Sequence, residues 1–400
     1  MKRWVYKVRC VLAIALAIVF LFSGSNVVDA FSRTAESKPV SQEKINGCPE
    51  VTYVAPYIKN GLPDPNGTQT IGSYDLIVQW YQDLEKKYPN YIEVWSPNQK
   101  YSLGQIPSSS SHAPYDMYYV RVTNESLGFH KPEVFFMGNP HGDETPGPIS
   151  TYWFVNWLMR YAFLPECQTE QSAWLRWILD NREIYIGVTH NPDGWDRDRR
   201  GEGSANADLN RDADFECCSQ STWPDPFHSV NGKTASTFIN KHQIRVGNEF
   251  HSGTVMLLYP WGVIGSNIQG TSRISGHTYS YLPPDFYFFD AATLRLGKYV
   301  GSYQGSFDAS NTGPPADILY QAYGTYLDFG YGSNTQAHPE MASHVQNGPY
   351  LGAGIYWHTP EWNQMPKTRP SSEFGTDLKE GWGIKTRRYL LHEIDIAQPY

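Results

Sequence analysis

Positive charge, cysteine and long apolar runs are all scarce in this chain of 400 residues. Lys and Arg number 32 against 40 Asp and Glu, a net charge of −8. That balance argues against nucleic acid or an anionic membrane as a partner. One long apolar run exists, residues 11–22, preceded by Lys2, Arg3, Lys7 and Arg9 and followed by Ser23-Gly24-Ser25. It is short for a bilayer span, and its flanks predict a secretory signal over residues 1–30. No Cys follows the run closely, which argues against a lipid-modified anchor. Loss of the signal removes four basic residues and one acid, so the charge moves from −8 to −11.

Cys10 would leave with the signal, and Cys48, Cys167, Cys217 and Cys218 would remain. An even number in an exported chain suggests disulfides. Adjacent Cys217 and Cys218 would pair with each other only under strain. Two bridges are therefore expected, each joining one of them to Cys48 or Cys167, with the connectivity left open. No internal repeat is visible. Hydrophobic residues make up 40% of the chain, enough for a substantial core. The length allows one large α/β domain. The expected division is a signal over 1–30, a polar lead-in over 31–70 and a single domain over 71–400.

The most informative stretch is residues 133–144, EVFFMGNPHGDE. An apolar run, Val134 to Met137, breaks at Gly138-Asn139-Pro140 and delivers His141 and Glu144. Two such groups at i and i+3 can reach one ion from the same turn, and imidazole with carboxylate suits zinc. With 12 His in the chain, this pair needs company. The end of a strand predicted over 246–251 supplies it: Phe250-His251-Ser252-Gly253, with His251 as a third ligand. Between them lies a long polar segment, 191–215, with Asn191-Pro192-Asp193-Gly194, then Arg197, Arg199 and Arg200, then Asp208-Leu209-Asn210-Arg211. Several Arg near a metal suggest an anion clamp. A third cluster, 319–328, offers Tyr320 and Asp328, with Glu340 further on.

Helices are expected over 73–88, 146–161, 172–179, 290–303 and 386–394. Strands are expected over 91–95, 115–122, 133–137, 183–189, 246–251 and 255–258. Their alternation predicts an α/β fold with a central mixed sheet and helices on both faces.

Taken in order, HGDE, NPDG, DLNR, FHSGTVMLLYPWG, LYQAYGTYLD and HPEM resemble the zinc carboxypeptidases of the pancreatic carboxypeptidase A type, the M14 metallopeptidases. The resemblance covers residues 73–341, about two thirds of the chain. It implies a carboxypeptidase A-like fold and one Zn2+ held by His141, Glu144 and His251. Asp208 would orient a zinc-binding His. Asn210 and Arg211 would hold the substrate's terminal carboxylate, and Tyr320 would close over it. Glu340 would be the general base. Arg200, or its neighbour Arg199, would polarise the scissile carbonyl. Leu258, Leu319, Ala322 and Leu327 would line the pocket for the terminal side chain. Leu327 at its base favours apolar or aromatic residues, whereas a slip of one residue would bring Asp328 there and favour basic ones. The implied protein is a secreted or extracytoplasmic monomer acting on peptide or protein C-termini.

Three departures stand out. The lead-in is too short for a folded inhibitory pro-domain. Residues 345–385 do not read as the closing helix expected soon after the catalytic Glu. Gly253 sits where some members carry a Tyr. Two other readings remain: an amidase cutting cell-wall or isopeptide bonds on the same scaffold, and an inactive peptide-binding protein.

Overall fold

The computed structural model describes residues 48–55, 58–59, 62–63, 74–108, 114–168, 170–215, 219–263, 269–280, 282–332, 353–363 and 371–398. The expected signal, Ser73, Cys217, Cys218 and Glu340 lie outside them.

Nine strands build one mixed sheet: β1 (Ile92–Trp95), β2 (Tyr119–Val122), β3 (Glu133–Met137), β4 (Glu183–Gly187), β5 (Ile244–Glu249), β6 (His251–Ser252), β7 (Met256–Leu258), β8 (Thr312–Gly313) and β9 (Tyr356–Trp362). Their order is β8-β7-β9-β5-β3-β4-β2-β1, with β6 also paired to β9. The centre, β9-β5-β3-β4, is parallel, and the pairs β7–β9, β4–β2 and β2–β1 are antiparallel. Parallel strands buried on both faces need unbroken apolar runs, which explains Val134-Phe135-Phe136-Met137 and the fully buried β4.

The principal helices are α1 (Tyr74–Lys87), α2 (Pro146–Phe163), α3 (Glu170–Asn181), α4 (Pro192–Arg197), α5 (Val230–Lys241), α6 (Phe286–Val300), α7 (Tyr326–Tyr331) and α8 (Trp382–Ile396). Neighbouring residues on a strand point to opposite faces, and β9 uses this to hold two layers. Trp357 packs so tightly against α7 and β5 that a Cβ on Gly330 or Gly247 would come within 2.3 or 2.5 Å of its ring. The next residue, His358, meets Glu393 of α8 at 3.2 Å. Helices therefore cover both faces, as the sequence pattern predicts. On the α5 side, Phe238 gathers Trp95, Tyr119, Phe135 and Tyr185 into an aromatic core.

Several boundaries differ from the sequence reading. Tyr115 does not join β2 but pairs with Ile106 in an isolated bridge. Helix α6 starts four residues early and stops at Gly301, whose φ of 90° suits glycine. The terminal helix is longer than 386–394, because Trp382 and Ile384 are buried as well. The disulfide expectation is corrected: Cys48 bonds Cys167, with Cα atoms 4.5 Å apart. The reason is the course of residues 48–55. Tyr53 stacks on Trp153 of α2 at 5.0 Å and donates to Asp377 at 2.7 Å, which lays the segment along the end of α2.

Candidate active site

All four central parallel strands end at the same edge of the sheet, where α/β proteins place their sites. After β3 the chain turns through Gly138-Asn139-Pro140 into His141. Asn139 donates to the His141 carbonyl at 2.5 Å and accepts from Thr189 at 2.8 Å, so the turn is tied to the end of β4. Gly142 abuts Gly194: a Cβ there would lie 2.1 Å from the Gly194 carbonyl carbon. Asn191 caps α4 by accepting from Gly194 N at 2.8 Å and donates to Pro140 O and Arg200 O at 3.2 and 3.0 Å. NPDG is thus the buttress of the HGDE turn.

His141, Glu144 and His251 converge, with ligand atoms all within 4.8 Å of one another. His141 Nδ1 lies 2.9 Å from Glu144 Oε1, and His251 Nδ1 lies 3.0 Å from Glu144 Oε2. The two Nδ1 atoms are 3.0 Å apart. Each imidazole is held from behind, His141 Nε2 by Asp208 at 3.1 Å and His251 Nε2 by the Asn210 amide at 3.0 Å. Outer partners of this kind turn an imidazole toward a metal.

Two imidazole nitrogens this close in a buried site repel unless they share a proton or a metal cation lies between them. Without one the pair divides: burial, then His141, lowers His251 to about 4. Burial also opposes charge on His141, but Glu144 and Asp208 outweigh it and raise that group to about 9. Burial works to raise Glu144, yet the two imidazoles hold it well below the usual carboxylate range. A tetrahedral ion with bonds of about 2.0–2.1 Å keeps its ligands roughly 3.3 Å apart. The donor set and its spacing therefore fit zinc.

These residues open onto a cleft of about 270 Å³, also lined by Arg200, Asn210, Arg211, Tyr320, Leu258, Leu319, Ala322 and Leu327. Arg200 bonds Asp208 Oδ2 at 3.0 Å and Glu144 Oε1 at 3.4 Å. Its neighbours turn elsewhere: Arg197 pairs with Asp193, and Arg199 is absent from the lining. Arg211 is steadied by Gln220 at 3.1 Å and by the Asn210 carbonyl at 2.6 Å. Tyr320 is 52% exposed, at the mouth. Leu327 lines the cleft, whereas Asp328 bonds Gly262 N at 2.8 Å behind the lining.

Two lining carboxyls escaped the sequence reading. Glu361 stands on β9 directly opposite His251 of β6. Burial, with the charge of Glu144 added, raises it to about 8. Glu249 ends β5, fully buried. Glu249 had a signal in the sequence, standing two residues before His251, whereas Glu361 is singled out only by the pairing of β9 with β6.

A model of the zinc carboxypeptidase family, Peptidase_M14, matches residues 77–348. The chain belongs to this family. Among zinc carboxypeptidases, carboxypeptidase D of Rattus norvegicus is 23% identical over 271 residues, 64% of this chain and 17% of that protein. The chain thus spans about a sixth of that relative's length. A zinc carboxypeptidase of Simulium vittatum is 25% identical over 281 residues, 64% of this chain and 79% of the relative. The structure of carboxypeptidase A from Helicoverpa armigera gives a TM-score of 0.55 at 15% identity, over 83% of this chain and 74% of that one. Thrombin activatable fibrinolysis inhibitor gives 0.54 at 16% identity, over 82% of this chain and 78% of that one. At such identities the likeness speaks for the fold alone, and that fold is carboxypeptidase A-like.

Proposed function

We propose that the protein is a metallocarboxypeptidase that hydrolyses the C-terminal peptide bond, with one Zn2+ held by His141, Glu144 and His251. The observation that carries the reading is the register of β9 on β6, which sets Glu361 beside His251 in the cleft that also holds Arg211. When bound, the ion supplies Lewis-acid polarisation of the scissile carbonyl and acidifies a water. Glu361 takes that water's proton and passes it to the leaving amine. Its half-buried carboxyl, raised by desolvation, suits both halves of that transfer. Arg200, braced by Asp208 and Glu144, stabilises the charge that develops on the carbonyl oxygen. Arg211 and Asn210 receive the terminal carboxylate, so a free C-terminus is held before the bond reaches the reacting groups. Tyr320, exposed at the mouth, closes over it. The base role given to Glu340 on the sequence pattern thus passes to Glu361. Leu258, Leu319, Ala322 and Leu327 give the pocket apolar walls, which hold an apolar side chain or the aliphatic stem of a longer one.

Export is part of the same reading, supported by the basic-then-apolar start of the chain and by the Cys48–Cys167 bond. Among the described residues no helix is long and apolar enough to cross a membrane.

The test is release of the last residue from short peptides, with and without a chelator. Release should be chelator-sensitive, and Glu361→Gln should lower kcat by about 10²–10⁴-fold while metal analysis still finds one zinc per chain. Unchanged turnover in Glu361→Gln, with loss in Glu340→Gln, would return the base role to Glu340.

A further inference from the structure

We infer that Lys385 of α8 is a positioning residue for Glu361: its ammonium clamps the end of β9 to the turn beside it and so fixes where that carboxyl stands in the cleft. This rests on the reading above that Glu361 is the general base. Lys385 is fully buried, and a lysine is almost never so placed without an anion to pair with. Among the described residues no carboxylate pairs with it, and burial lowers it to about 8. Its Nζ donates instead to the carbonyls of Tyr303 and Gly305, at 2.8 and 2.7 Å. It also stands 5.0, 5.2 and 5.4 Å from the ring centres of Phe307, Trp362 and Trp382. Aromatic faces attract such a cation. Filling space needs no charge, since a methionine of the same length would do it.

What the ammonium holds lies on both sides of the short strand that carries His251. Trp362 follows Glu361 on β9, and successive strand residues face opposite ways. Glu361 therefore lines the cleft, while the Trp362 ring lies behind it, fully buried against Phe307 and Trp382. In register, Glu361 stands opposite His251 and Trp362 opposite Ser252. The Trp362 carbonyl then accepts from Gly253 N at 2.9 Å. On the other side, the turn that Nζ holds rests on Val255: a Cβ on Gly305 would come within 2.8 Å of the Val255 side chain. One cation thus ties the end of β9 to the segment that leaves His251. Without it the Tyr303 and Gly305 carbonyls lose this donor and the Trp362 ring loses its brace. A misplacement of about 1 Å at a reacting group can slow a reaction about 100-fold.

The experiment uses the zinc-loaded full chain, with kcat expressed per folded, zinc-bound molecule. Lys385→Met should lower kcat about tenfold or more while KM stays within about threefold, because the carboxylate anchor is untouched. Amide hydrogen exchange, followed by mass spectrometry over residues 251–255, should speed up about tenfold at Gly253. In the Glu361→Gln background, Lys385→Met should lower the residual rate by less than about threefold, since its effect passes through that carboxyl. Arg160→Ala serves as the control for lost stability and should keep kcat. If Lys385→Met does not fold, Trp362→Phe, which leaves the cation a smaller ring, should move kcat and exchange in the same direction. Unchanged kcat in the folded variant, unchanged exchange at Gly253, or an equal fall in rate with and without an impairing Glu361→Gln would overturn the positioning role. Full turnover in Glu361→Gln, with faster Gly253 exchange in Lys385→Met, would overturn the base reading and keep Lys385 as the clamp on β9.

Discussion

Single side chains in the cleft divide between those that would meet a substrate and those that hold others still, and the two kinds fail differently. Arg211 belongs to the first. Arg211→Ala should raise KM for peptides with a free C-terminal carboxylate about tenfold or more and affect amidated peptides much less. Equal effects on both would remove the anchor role. Asp208 belongs to the second, because it reaches the cleft only through His141 Nε2 and Arg200. Asp208→Ala should weaken zinc retention roughly 10–100-fold in a competition titration with a chelator. Unchanged retention would mean that packing alone orients His141. Among the cleft residues, His141, Glu144 and His251, proposed as the metal ligands, and Asp208, Asn210 and Arg211 were legible in the sequence, because short local motifs carry them. Glu361 was not, since Glu340 in HPEM offers a similar carboxylate and only strand pairing distinguishes the two.

Among the elements, α2 and α8 show how a distant segment is recruited. Asp377, just before α8, accepts from Arg160 of α2 at 2.7 and 2.9 Å and from Tyr53 at 2.7 Å. Both ends of the Arg160–Asp377 pair are buried, at 7% and 0% exposed. Breaking a buried pair leaves one charge uncompensated, so Arg160→Ala should destabilise the fold by about 3–5 kcal/mol in denaturant unfolding. A loss within about 0.5 kcal/mol would mark the pair as incidental. Helix α2 was readable from Pro146, Pro148 and the apolar stretch after them. The pairing of Cys48 with Cys167 was not, because it depends on Tyr53 finding Trp153, far along the chain.

For the whole molecule, buried acids away from the metal set a pH dependence. Burial, aided by Asp193 and Asp212, raises Glu202 to about 8, and burial raises Asp212 and Asp214 to about 6. In the unfolded chain such groups lose their protons near pH 4. At these three carboxyls the folded state therefore binds more protons than the unfolded one between pH 4 and 8, and their contribution to stability falls as pH rises, while buried His190, lowered to about 3, works in the opposite sense below about pH 6.5. The Glu202 contribution is read as a difference: between pH 5 and pH 8.5 the wild type should lose on the order of a few kcal/mol of urea-unfolding free energy relative to Glu202→Gln. An equal pH dependence in the two proteins would count against the Glu202 assignment.

By itself the sequence determined the alternation of strands and helices, the family, and the local motifs that carry the residues proposed here as zinc ligands and carboxylate anchor. Those features depend on residue type and short spacing, which are written along the chain. Which carboxyl faces His251, which Arg turns inward and which cysteines meet were decided by the tertiary structure alone. Each is a contact across large sequence separation. The parallel register of β9 on β5 and β6 sets Glu361 opposite His251, and the end of β5 brings buried Glu249 to the lining of the same cleft.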